Sequence, residues 1–147
     1  MKKVLLLMLS LFVTSLMCVS CGDDEEDLNP SGSGSIVGTW VPTEDREEYI
    51  DFYWEFTKTE VRYYELNRRS WDDDTYATFK DGYVYVPAGY SWKLEMVQPY
   101  KIINGSIFVN GINVGSVKFI SKNKAIFNSR YLVDGVCERV KGFKNLN

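Results

Sequence analysis

Four dipeptides in the second half of the chain constrain its fold most strongly: Asp81-Gly82, Asn104-Gly105, Asn110-Gly111 and Asp134-Gly135. Asn-Gly and Asp-Gly favour two-residue type I′ turns, because both central residues of such a turn adopt positive φ. Each dipeptide separates two short runs that are rich in β-branched or aromatic residues, which is the pattern of a β-hairpin. The sequence therefore predicts successive antiparallel hairpins and no helix of appreciable length.

Alternating side chains extend this pattern upstream. From residue 51 the apolar period is two, so that Phe52, Trp54 and Phe56 share one face of a strand whose hairpin partner is residues 60–66. Pro99 is expected to end a strand because proline has no N–H to donate to a ladder. Residues 43–50 are expected to form a single helical turn or a charged loop. The other predicted strands are 36–41, 76–80, 83–86, 91–97, 100–103, 106–109, 112–120, 125–131 and 136–143.

Eight to ten short antiparallel strands in one small domain can form a closed barrel or a sandwich. Closure removes the exposed edge strands that promote aggregation. Hairpin connections favour an up-and-down barrel, because a sandwich of this size typically needs Greek-key crossovers. We therefore expect an all-β domain over residues 36–147, a small antiparallel up-and-down β-barrel of about eight strands.

The N-terminus has the pattern of a secretory signal. Two lysines precede an uncharged stretch, residues 4–17, whose length of about 21 Å as a helix is short of the roughly 30 Å membrane core. Ser20 is a small residue directly before Cys21, and this junction resembles the lipobox of bacterial lipoproteins. The resemblance implies a signal peptide over residues 1–20 and a lipidated (palmitate-bearing) Cys21 that holds the protein to a membrane. The alternative is an ordinary secretory peptide that is cleaved nearby.

An acidic and Gly/Ser-rich tether, residues 21–35, separates that junction from the domain. Its acidic run, Asp23–Asp27, resembles the export signal of surface lipoproteins in the Bacteroidetes group, and the alternative is a solvated spacer. The resemblance implies an outer-membrane protein exposed at the cell surface. From residue 28 onward the chain has 15 basic and 15 acidic residues. This neutral domain lacks the basic stripe that a nucleic-acid partner needs.

The start of the domain carries the motif Gly38-Thr39-Trp40. This Gly-x-Trp motif resembles the first strand of lipocalins, and the chain is similar to the short lipocalin-like domains of Bacteroidetes lipoproteins. The resemblance implies that Trp40 plugs one end of an eight-stranded barrel and that a basic residue of the last strand, Arg139 or alternatively Lys141, packs over its ring. A guanidinium over an indole is worth roughly 0.5–2 kcal/mol.

Several chemistries are excluded by composition. The chain contains no histidine, so Ser-His-Asp and Cys-His nucleophile systems and imidazole metal ligands are absent. After processing at Cys21 the remaining thiol is Cys137, for which a small buried hydrophobe is expected and a reactive thiol is the alternative. Asp72–Asp74 lacks the spacing of a calcium loop and favours a solvated loop. We expect no enzyme activity, no cofactor and no metal.

Aromatic residues make up 15% of the chain. Their abundance is compatible with two alternative functions. A barrel of eight strands can hold one small ligand, or side chains can fill its interior. In the first case the protein binds a small apolar or amphipathic ligand, and the candidate lining residues are Phe52, Trp54, Phe56, Tyr83 and Tyr85. In the second case exposed aromatics bind a glycan or a partner protein, and the candidates are Tyr63, Tyr64, Trp71, Tyr76, Tyr90 and Trp92.

Overall fold

The computed structural model describes residues 34–43 and 49–147, and this part of the chain is all-β. The predicted signal peptide, Cys21, the acidic run and most of the predicted turn or loop over residues 43–50 lie outside the described residues. No helix that is long and apolar enough to span a membrane occurs in the described ranges. The strands are β1 Gly38–Pro42, β2 Tyr49–Ile50, β3 Phe52–Phe56, β4 Glu60–Leu66, β5 Ala77–Lys80, β6 Tyr83–Val86, β7 Trp92–Ile103, β8 Ser106–Val109, β9 Ile112–Ser121, β10 Lys124–Ser129, β11 Gly135–Arg139 and β12 Gly142–Asn145.

Eight of these strands form a closed antiparallel barrel, as predicted. Their order around the barrel is β1-β3-β4-β7-β8-β9-β10-β11, and β11 pairs with β1 to close it. Since this is also their order in the chain, the barrel is of the up-and-down type. The predicted turns at Asn104 and Asn110 join neighbouring barrel strands, whereas the one at Asp81 joins β5 and β6 of the other sheet. The two-residue turn predicted at Asp134-Gly135 is wrong, because β10 ends at Ser129, residues 130–134 form a longer connection, and Gly135 already belongs to β11. Asp81, Asn104 and Asn110 all have φ between 51° and 54°, and the glycine after each also has positive φ, as type I′ turns require.

The remaining four strands form a second sheet, with the order β12-β6-β5-β2, that the sequence analysis did not predict. Its inner face, which includes Val84 and Val86, packs on the outer wall of the barrel. Tyr83 and Tyr85 alternate with these valines and are only partly buried. The expectation that Tyr83 and Tyr85 line the barrel interior is therefore wrong, because their strand covers the barrel from outside.

Two predicted strand boundaries are also wrong. Residues 91–97 and 100–103 belong to one strand, β7, which continues through Pro99. Residues 92–99 of β7 pair with β4, and residues 100–103 pair with β8. Pro99 lies at the boundary between these two ladders, so its missing N–H removes a hydrogen bond from neither of them. Residues 136–143 belong instead to two strands, because the chain leaves the barrel after Arg139 and pairs in parallel with β6.

The molecule has two hydrophobic cores. The barrel interior holds the residues Ile36, Trp40, Trp54, Phe56, Val61, Tyr100, Ile107, Val117, Phe119, Ala125, Phe127, Val133 and Cys137. The second core lies between the barrel wall and the second sheet and holds Val41, Ile50, Tyr53, Leu66, Ala77, Phe79, Val84 and Val86. One strand can serve both cores, because alternate side chains of β3 point in opposite directions.

Different turns and loops lie at the two ends of the barrel. We call the end where β1 begins the entry end, and residues 57–59, 104–105 and 122–123 turn there. We call the opposite end the far end, where residues 67–76, 110–111 and 130–134 lie. The hairpin of β5 and β6 runs back along the barrel, so that its turn at Gly82 meets Lys141 near the entry end.

Candidate functional site

The entry end is closed by Trp40 and Arg139. The Arg139 Cζ atom lies 4.5 Å from the centroid of the Trp40 ring, so the predicted packing of arginine over tryptophan is present. The Trp40 indole N–H donates to the carbonyl of Ile36 at 2.7 Å. Arg139 donates to the carbonyls of Val37, Ser35 and Lys122. Burial lowers the pKa of Arg139 from its ordinary value, and the three carbonyls stabilise the partly desolvated cation.

Gly38 is required at this end for two reasons. Its φ of 141° is a backbone conformation that other residues rarely adopt, and a Cβ atom there would collide with the Arg139 guanidinium. The first glycine of the Gly-x-Trp motif therefore makes room for the group that covers its tryptophan. Lys141, the alternative covering residue, contacts Tyr83 instead.

Aromatic side chains fill the entry half of the barrel interior. Phe56 and Phe127 lie on strands separated by β1 and β11, yet their ring centroids are only 5.8 Å apart. Phe127 also contacts Trp40 at 5.7 Å, and Phe56 contacts Tyr100 at 5.3 Å. Rings from strands that are not neighbours thus meet inside the barrel. Cys137 is fully buried in the same cluster, which agrees with its expected role as a small hydrophobe.

The interior is less completely buried toward the far end. Phe52, Tyr63 and Met96 pack against the core but remain partly exposed. Trp54 is 4% exposed, and its indole N–H has no hydrogen-bond partner. The Tyr63 hydroxyl donates to Glu65 at 2.7 Å, and burial raises the pKa of Tyr63, so this hydroxyl stays protonated at neutral pH. Of the proposed lining residues, the structure brings Phe52, Trp54 and Phe56 together in the interior.

Large apolar side chains are exposed at the far end. Trp71 is 95% exposed, Tyr131 is 73% exposed and Ile112 is 67% exposed. Trp71 and Tyr131 belong to two different connections at that end, and Ile112 is the first residue of β9 after the turn at residues 110–111. Large exposed apolar side chains are candidates for contact with a partner, and Trp71 is the most exposed of the three.

Asp73 fixes the loop that carries Trp71. Its carboxylate accepts hydrogen bonds from the backbone N–H groups of Arg69 and Thr75, both at 3.1 Å, and from the Tyr90 hydroxyl at 2.9 Å. A hydrogen bond from the Thr75 side chain, followed by the one from the Arg69 amide, holds the pKa of the Asp73 carboxyl well below its usual range. The loop is therefore organised around one ionised carboxylate, while Trp71 itself extends into solvent.

Two arginines next to Trp71 are held by aromatic rings. Arg68 Cζ lies 4.4 Å from the Tyr76 ring centroid, and its guanidinium is 3.4 Å from the Asp51 carboxylate. Arg69 Cζ lies 5.1 Å from the centroid of Tyr90. Both side chains therefore have a preferred position before any partner arrives.

The other proposed surface aromatics have partners within the fold. Tyr64 stacks on Tyr53 at 4.6 Å, and Trp92 meets Tyr53 edge-on at 4.9 Å in the second core. Tyr76 and Tyr90 support the arginines. Trp71 is thus the member of the set that is left available for binding.

Sequence reasoning missed the role of Asp73, which it treated only as part of a solvated acidic run. The signal that indicates the role is local: an Asp side chain commonly accepts from the amide two residues later, here Thr75. In the described part of the chain, no group of three acidic or thiol side chains is placed to hold a metal ion.

Comparisons of this chain with protein families, curated proteins and solved structures find no match.

Proposed function

We propose that this chain is a lipid-anchored, non-enzymatic binding protein of the bacterial outer surface, and that the loop carrying Trp71 is its contact surface. The lipobox pattern at Cys21 supports the anchor. The observation that carries the binding proposal is the combination of a 95% exposed indole with a loop fixed by three hydrogen bonds to Asp73. The barrel serves as the rigid scaffold for this loop.

A protein partner fits this surface best. Trp, Tyr and Arg are the residues most enriched among those that dominate protein–protein affinity, and Trp71 is flanked by Arg68 and by Arg69. Because Asp73 already orders the loop, binding does not have to order it, which lowers the entropic cost of association. A glycan that stacks on the indole is the alternative outcome.

Two features support a non-enzymatic role. The chain contains no histidine, and its Cys137 thiol is fully buried inside the barrel. The polar groups around Trp71 hydrogen-bond to one another and stabilise the loop.

The test is photo-cross-linking from position 71. The full chain with a photoreactive phenylalanine analogue at residue 71 is displayed on the cell surface, and the same analogue at Ile120, an exposed apolar residue toward the entry end, is the matched control. We expect a saturable cross-linked adduct from position 71. An excess of the protein without the photoreactive analogue should suppress this adduct, whereas an excess of the Trp71→Ala protein should not. Equal adducts from both positions would contradict the proposal, and loss of the adduct after periodate oxidation would identify a glycan.

The anchor is tested separately. Cys21→Ala should move the protein from the membrane fraction to the soluble fraction, because the acyl chains hold it there. Cys18→Ala, a matched change within the predicted signal peptide, should leave it in the membrane fraction. Retention of the Cys21→Ala protein in the membrane would disprove lipid anchoring.

A small apolar or amphipathic ligand at the far end of the barrel is the second candidate. The specific observation in its favour is the buried Trp54 N–H without an acceptor, because an unsatisfied buried donor costs about 1–3 kcal/mol. A ligand there would be small, since Phe56 and Phe127 meet across the interior beyond it. Native mass spectrometry of protein from its source tests this candidate, and the absence of any added mass beyond the lipid would reject it.

A further inference from the structure

The outer face of the second sheet carries a cluster of lysines and tyrosines. We call Lys80, Tyr83, Tyr85, Lys141 and Lys144 the tyrosine–lysine face. The Lys144 Nζ atom lies 4.0 Å from the Tyr83 ring centroid and 5.2 Å from that of Tyr85. Lys141 Nζ lies 5.9 Å from the Tyr83 centroid. The rings thus hold two ammonium groups close together on one surface.

This positive charge is not neutralised within the described part of the chain. None of the ion pairs there includes Lys80, Lys141 or Lys144. The nearby acidic residue is Asp81, whose backbone carbonyl accepts from Lys141 at 3.0 Å. A surface groove of about 510 Å³ is lined by Lys80 and Tyr85 of the face together with Thr78, Phe79, Asp81 and Leu146, and Lys141 and Lys144 lie outside this lining. The positive charge of the face therefore comes mainly from Lys141 and Lys144 over the Tyr83 ring, and the groove at Lys80 lies beside it.

The face lies beside the point where the chain enters the fold. Arg139 binds the carbonyls of Ser35 and Val37 and so fixes the entering chain. Lys141 follows Arg139 by two residues, which places their Cα atoms within about 7 Å of each other. The Lys141 amide in turn donates to Gly82 at 2.7 Å, next to Tyr83.

The chain upstream of this point is strongly acidic. The run Asp23–Asp27 consists of five consecutive carboxylates, and residues 28–33 separate it from Gly34. Seven steps along an extended chain span up to about 23 Å, so the run can reach the tyrosine–lysine face. A short Gly/Ser-rich linker also keeps the effective concentration of the run near the face in the millimolar range.

We infer that the tyrosine–lysine face binds the acidic run Asp23–Asp27 of the same chain. The far end offers the run no comparable site, because its connections carry four acidic residues, Asp72, Asp73, Asp74 and Asp134, against three arginines, Arg68, Arg69 and Arg130. Of these arginines, Arg68 is already paired with Asp51. Binding of the run holds the start of the chain against the second sheet, and the loop that carries Trp71 belongs to the far end of the barrel. This inference depends on neither the lipid anchor nor the partner of Trp71.

Zero-length carbodiimide cross-linking of the purified full chain tests the inference, because it joins only carboxylates and amines in direct contact. At low salt we expect cross-links from the acidic run to Lys80, Lys141 and Lys144, and we expect their loss in 1 M NaCl, where the screening length is about 3 Å. The ion pair of Lys93 with Glu95, 2.6 Å apart, is the internal control. Cross-links from the acidic run that spread over all exposed lysines or form only between molecules would overturn the inference. So would cross-links that join Lys80, Lys141 and Lys144 only to the carboxylates of residues 44–48.

Cleavage of the run by a glutamate-specific protease gives an independent measurement. The variant Lys80→Gln/Lys141→Gln/Lys144→Gln should be cut after Glu25 or Glu26 several-fold faster than the unmodified chain at low salt. The matched variant Lys93→Gln/Lys101→Gln/Lys118→Gln removes three exposed lysines of β7 and β9 in the barrel wall and should be cut at the unmodified rate. Equal cleavage rates in all three proteins, each checked for an unchanged melting temperature, would contradict the inference.

Discussion

Arg139 lies over the indole of Trp40, and the same two residues are direct partners in the ladder between β1 and β11. The arginine therefore acts both on the ring and on the chain that precedes it, through the carbonyls of Ser35 and Val37. One side chain thus closes the barrel seam and fixes the point of entry.

Arg139→Ala should lower the free energy of unfolding by about 1–3 kcal/mol, because it removes a cation–π contact and three hydrogen bonds to backbone carbonyls, of which the one to Val37 is partly buried. Urea unfolding measures this change, and the NMR resonance of the Trp40 indole N–H should shift. Lys122→Ala is the matched control, since only its backbone carbonyl meets Arg139. An Arg139→Ala protein as stable as this control would show that the stack does not stabilise the entry end.

Phe127→Ala tests whether side chains fill the entry half of the barrel. Phe127 is fully buried and contacts both Trp40 and Phe56, so its truncation should cost about 3–5 kcal/mol of unfolding free energy. Phe143→Ala, at a 41% exposed ring, should cost clearly less. Similar losses in the two variants, measured by chemical denaturation, would show that the interior is loosely packed.

Asp73 should titrate below an ordinary aspartate. Its folded-state pKa is lowered by the hydrogen bonds from Thr75 and from the Arg69 amide, so its contribution to stability is complete above the unfolded value near 3.9 and is lost as the pH falls through the lowered folded value. The NMR shifts of the Arg69 and Thr75 amides should stay constant from pH 8 to about 4 and change only at lower pH. A midpoint near 4 would show that the carboxylate does not organise the loop, and Asp73→Asn serves as the non-titrating control.

The elements that sequence predicted correctly are those encoded by neighbouring residues. The turns at Asn104 and Asn110 follow from a local need for positive φ, and the inward face of Phe52, Trp54 and Phe56 follows from a period of two. The contact of Arg139 with Trp40 was predicted only through a family resemblance, because nothing local pairs residues that far apart.

The second sheet was missed because its determinants are long-range. Val84 and Val86 alternate with tyrosines just as an inward-facing barrel strand would, and the local pattern does not tell which surface the valines cover. The parallel pairing of β12 with β6 joins segments about sixty residues apart. Trp71 appeared among the candidate surface aromatics, but its isolation from the others depends on contacts that only the fold creates.

The affinity of the partner captured at position 71 for the Trp71→Ala protein tests the central claim most directly. We predict that the dissociation constant rises at least about tenfold, as expected for a residue that contributes more than about 1.4 kcal/mol to binding, while Ile120→Ala leaves it unchanged. Equal affinities of the Trp71→Ala and unmodified proteins would contradict the claim that this loop is the contact surface.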